Sequence, residues 1–102
     1  MPLPDISLET VTTIIDSLPD DLSRELRYLL DETLATREKI KDQPVWVRGF
    51  FANLLGHNVV AALKRYNATT PAARQLIHKV MDWAFDMPDT WKPKWAVLPT
   101  VA

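Results

Sequence analysis

His78, Asp82 and Asp86 recur at four-residue spacing, and on a helix that spacing brings an imidazole and two carboxylates onto one stripe. Such a set could hold one divalent metal or serve one proton-transfer site. A metal site also needs ligands from other elements and an ordered shell behind them, and no other segment nominates any. The stripe lies opposite the apolar arc of its helix, so the sequence places it on a solvated face. His57 stands alone in an apolar stretch. Pairing it with His78 would supply two axial haem ligands, but a core histidine satisfied by a hydrogen bond is the commoner reason for such a residue. No serine sits in a nucleophile-elbow setting and no glycine-rich loop is available to cradle phosphate. With no cysteine in the chain, thiol catalysis, disulfides and cysteine-based zinc sites are excluded. The expectation is therefore a protein that is not an enzyme and needs no cofactor.

Two groups of residues point to recognition. Lys64, Arg65, Arg74 and Lys79 flank a short turn in the outline of a helix-turn-helix, which makes nucleic acid the alternative partner. Four cations on a chain of net charge -1 form a thin footprint for a ligand bound mainly through its phosphates. Trp91 and Trp95, interleaved with Lys92, Pro93 and Lys94, could cap the end of a fold or act as binding anchors. Tryptophan is enriched at hot spots, and proline lowers the entropy lost on docking. A small-ligand pocket lined by Trp46, Phe50 and Trp83 is a further alternative.

The elements that must position these residues are legible from the prolines. They stand at 2, 4, 19, 44, 71, 88, 93 and 99 and leave four long proline-free segments. Because proline inside a helix removes a hydrogen bond and collides with the preceding turn, each gap is room for one helix. The sequence predicts an all-α, compact four-helix domain, with helices near 7–18, 20–41, 44–66 and 70–86. An extended, Pro/Trp-rich C-terminal tail follows over 87–102, packed on the domain or on a partner. Helix two is the clearest: Leu22, Leu26, Leu29, Leu30 and Leu34 share a face, with Ser17 as the expected cap and Pro19 in the first turn. Thr70 and Pro71 form the same kind of start for helix four. The resemblance to four-helix bundles is one of architecture, and architecture does not assign function.

The third helix is unusual. From Val45 to Leu63 its apolar residues fall on every side, and a helix apolar all round needs burial all round. In a small bundle each helix has two close neighbours, so either this one is central or one side meets something outside the chain. Gly49 and Gly56, the only glycines, lie on one stripe of it and imply a close backbone approach or a break near Gly56-His57-Asn58. A rival reading makes Val45 to Phe51 a strand paired with Trp95 to Val101.

Charge is divided along the chain. Residues 1–42 carry 5 basic and 10 acidic side chains, and residues 43–102 carry 7 and 3. Such polarity is expected chiefly from complementary packed helices. Within helix four, Arg74 near the positive end and Asp86 near the negative end oppose the dipole, which is the signature of a partner or of a neighbouring helix.

Length and composition, 102 residues with 47% hydrophobic and 25% charged, are those of one globular domain. No basic region followed by an apolar run opens the chain, and Arg48, Asn53, His57 and Asn58 interrupt the most apolar stretch. The expectation is a cytoplasmic protein with no membrane span. Its expected function is that of a protein–protein interaction module, an adaptor, regulator or inhibitor. The residues expected to bind the partner are Phe51, Leu55, Arg74, Lys79, Trp91 and Trp95, and homodimerisation through the third helix is the simplest form.

Overall fold

Four helices and a returning tail make up the described part of the protein, residues 7–97 of a computed structural model. Helix α1 spans Leu8–Asp16, α2 Asp20–Ile40, α3 Val45–Arg65 and α4 Pro71–Phe85, with a single 3-10 turn at Lys94–Ala96. The fold class read from the sequence is the one observed. None of the described residues forms a strand: Val45 to Phe51 is helical, and α3 runs through Gly56 without a break.

Local signals account for most helix ends. The Ser7 hydroxyl accepts the Thr10 N–H at 3.0 Å and the Thr70 hydroxyl accepts the Ala73 N–H at 3.1 Å, so both act as N-caps. Ser17 is a correction. It closes α1 rather than opening α2, donating its hydroxyl to the Ile14 carbonyl at 2.7 Å. The caps of α2 and α3 are Pro19 and Pro44, neither with a side-chain hydrogen bond. Acidic Asp20 and Asp21 in the first turn of α2, and Arg37 and Lys39 in its last, complement the dipole instead. Helix α4 ends in a left-handed residue, Asp86 at φ 48°, and the next amide, Met87 N–H, returns to the Asp82 carbonyl at 3.2 Å. Asp is one of the few side chains that tolerate that conformation.

Helix α3 is the centre of the packing, set against α2 on one side and α4 on the other. The core includes Val11 and Ile15 from α1, Leu22 and Leu26 from α2, Ala52, Leu55, Val60 and Leu63 from α3, Ile77, Val80, Met81 and Phe85 from α4, and Trp95 from the tail. Helix α1 rests on α2 alone among the described helices. Two ion pairs bind the layers, Arg27 to Asp16 and Arg65 to Glu25, and the second joins the acidic and basic parts of the chain. No helix among the described residues is long and apolar enough to cross a membrane.

Candidate interaction surface and the tail site

The exposed side of α3 changes character along its length. In its first turns Trp46, Phe50 and Leu54 are 76%, 61% and 45% exposed, and at four-residue spacing they form one stripe. In its last turns the same side carries His57, Asn58, Lys64 and Arg65, all exposed. Phe50 meets Phe51 edge-on at 5.3 Å between ring centroids, which fixes the attitude of the outward ring against a half-buried one. Trp46 and Phe50 together present on the order of 300 Å² of apolar surface, given roughly 150–250 Å² per large aromatic side chain. With Leu54 beside them, this is the size of patch that is often functional on a monomer. Trp83 belongs elsewhere: the Arg37 guanidinium lies 4.9 Å from its ring centroid, a cation–π contact between α4 and α2.

Of the six residues expected to bind a partner, three lie in the interior. Leu55 is in the core, Trp95 is 7% exposed and Arg74 only 5%. Phe51, Lys79 and Trp91 are half-buried. For Trp95 and Arg74 the physical reason is the tail, which turns back after α4 and lies across α3 and α4. The Trp95 indole packs on Gly56, and its Nε1–H donates to both the backbone carbonyl and the side-chain oxygen of Asn53, each at 3.0 Å. The Arg74 Nη1 donates to the Trp95 carbonyl at 2.8 Å and the Val97 carbonyl at 3.3 Å. Its position against the helix dipole therefore answers to the protein's own chain. Asp86 likewise owes its place to the left-handed turn. Arg48 of α3, which sequence reasoning passed over as a mere interruption, supplies the cation that α4 lacks at its end. Its Nη1 donates to the carbonyls of Phe85 at 3.2 Å and Asp86 at 3.0 Å.

The stripe read as solvated, His78 and Asp82, lies beneath the same tail. Both side chains are about three-quarters covered. The His78 Nε2–H donates to the Trp91 carbonyl at 3.1 Å and stands 3.7 Å from Asp82 Oδ2. The imidazole is 5.4 Å from the Trp91 ring and 6.4 Å from the Trp95 ring, and the two indoles meet at 5.9 Å. Burial pushes the Asp82 carboxyl above its ordinary range, the attraction of His78 works against that, and Asp89 adds a smaller upward push. Asp86 faces solvent, and no three metal-ligating side chains come together among the described residues. The arrangement ties the tail down.

The basic edge is dispersed as well. Arg74 is consumed by the tail and Arg65 is paired with Glu25, which leaves Lys64 exposed and Lys79 half-buried. No protein-family model matches the chain, and no curated protein or solved structure is significantly similar to it.

Proposed function

We propose that this is a small, cytoplasmic, non-enzymatic protein–protein interaction module that works through the exposed apolar half of α3. One observation carries the reading: Trp46, Phe50 and Leu54 form a continuous ridge in water while the indoles of the tail are drawn inward. A four-residue ridge is the unit by which helices interdigitate. An aromatic centre of this kind is also the composition of an interface core, with the polar and basic turns from His57 to Arg65 as its rim.

The simplest form is a homodimer. A two-fold axis passing near Phe50 sets Trp46 of one copy against Leu54 of the other, and the reverse contact follows by symmetry, so the ridge is complementary to itself. Sedimentation velocity from about one to one hundred micromolar tests this, with Phe50→Asp as the variant, because a charge at the centre of an apolar contact is left unpaired and desolvated. The wild type should move from monomer to dimer over that range. The variant should stay monomeric with an unchanged circular dichroism spectrum. A wild-type monomer throughout removes the homodimer, and a photo-crosslinker at position 50 that captures no protein in cells removes the surface as well.

A further inference from the structure

On the opposite side of α3 from the ridge lies an apolar cavity of about 590 Å³. It exists because α1 packs on α2 alone, standing off from α4 across a gap. Ile15 of α1, Leu26 and Leu30 of α2, Leu63 of α3, and Ile77 and Val80 of α4 line it. Where α4 begins, the small Ala72 and Ala73 line it. Ile15, Leu26, Leu63, Ile77 and Val80 are buried and form its floor, while Ile14, Thr70 and Ala72 at its rim are exposed, so the cavity opens to solvent on that side.

The chemistry of the walls selects the occupant. No charged side chain and no aromatic ring is among the lining residues, and two hydroxyls are the polar contribution. The Thr33 hydroxyl is committed to the Leu29 carbonyl at 2.8 Å, and Thr70, exposed at the rim, is committed as the cap of α4. Water inside would find few partners, and a polar ligand would lose its hydration with nothing in return. The volume falls within the roughly 300–1,000 Å³ of small-molecule sites. We propose that the cavity binds the unbranched alkyl chain of a small amphiphile, with the chain enclosed and the polar head left in solvent.

Entry is by way of α1. Six of its nine residues are β-branched, so the helix depends on packing beyond its Ser7 and Ser17 caps, and Ser17-Leu18-Pro19 joins it to α2 as a short connection. Lifting it exposes its own core residues, Val11 and Ile15, and leaves the contacts of α2, α3 and α4 with one another in place.

The test is a methyl NMR titration of the whole protein with sodium dodecanoate, with dodecan-1-ol and with phosphatidylcholine vesicles as separate arms. Shifts at the methyls of Ile15, Leu26, Leu63, Ile77 and Val80 that saturate at one ligand per chain, with a rise in Tm, are the expected result. The soluble probes alone producing them identifies a free amphiphile; the vesicles producing them as well identifies a lipid acyl chain as a source. Ala73→Phe, or Ala73→Leu if the ring is not accommodated, should abolish the shifts and keep the fold. Absence of shifts at saturating probe overturns the site, as do shifts confined to Leu54 and the Trp46 and Phe50 rings. So do contacts, in the ligand-free protein, from the lining methyls to Leu3, to Ile6 or to a second copy. Phe50→Asp should titrate like the wild type, so loss of the ridge and loss of the cavity are read separately.

Discussion

Trp95 lies across Gly56 so closely that a Cβ added to the glycine would stand 2.0 Å from Cζ2 of the indole. The indole cannot slide aside freely, because its Nε1 is held by Asn53 on the same helix, one turn earlier. Gly56→Ala should therefore destabilise the protein by about 1–3 kcal/mol, the ordinary cost of overpacking, despite a gain of roughly 1 kcal/mol in helix propensity. Urea denaturation followed by far-UV circular dichroism measures the balance. A variant as stable as the wild type would mean that the indole is not seated on this helix.

The other glycine of α3 predicts the opposite sign. A Cβ at Gly49 would meet only the terminal methyl of Met87, at 3.1 Å. That atom is the far end of a flexible side chain and can move by a few tenths of an ångström. Gly49→Ala should be neutral or stabilising by up to about 1 kcal/mol, the propensity term alone. The two substitutions measured side by side separate a glycine required by contact from one that is not.

These two residues also mark how far the sequence could be read. Prolines at 19, 44 and 71 located the helix starts because their steric rule is local. A glycine pair within α3 signalled close approach, but what approached was a segment some forty residues away, and no local rule names it. Arg74 gave a true signal, a cation at the wrong end of a dipole, whose cause was the returning tail. His78 and Asp82 were assigned to solvent because the helical wheel of α4 counts neighbouring helices and not a returning tail laid over its outer side. The ridge escaped for a different reason. In a helix apolar all round, the exposed stripe is decided by which neighbours pack against it, and that is a property of the whole fold.

The clasp on the tail can be loosened from one side chain. Arg74 is buried, and its guanidinium holds two carbonyls of the tail at 2.8 and 3.3 Å. Arg74→Met keeps much of the apolar stem and removes both charge-assisted hydrogen bonds, each worth about 1.5–3 kcal/mol before relaxation. A net loss of about 2–3 kcal/mol is expected, and it should be concentrated in the tail. Trypsin reports this directly, since Lys92 and Lys94 flank Pro93 in the fastened segment. Cleavage after Lys94 should become faster in the variant while α2 and α3 remain resistant. Unchanged cleavage would place the energy of the clasp in Trp95 rather than in Arg74.

Asp82 predicts a pH dependence with a definite sign. Burial beneath the tail raises its folded-state pKa, so the folded protein retains a proton that the unfolded chain gives up. Between the two pKa values the folded state binds more protons, and stability falls as pH rises. The contribution is complete below the ordinary aspartate range, near pH 4, and is lost as pH climbs through the raised value. Asp82→Asn keeps the shape and removes the titration. Its urea midpoint should change less than the wild type's from pH 4 upward into the mildly acidic range, and at pH 7 it should lie above the wild type's. Burial is the larger influence on Asp82, and the attraction of His78 offsets only part of it. A variant less stable than the wild type at pH 7 would mean that the contact with His78, 3.7 Å away, outweighs the desolvation of the carboxylate.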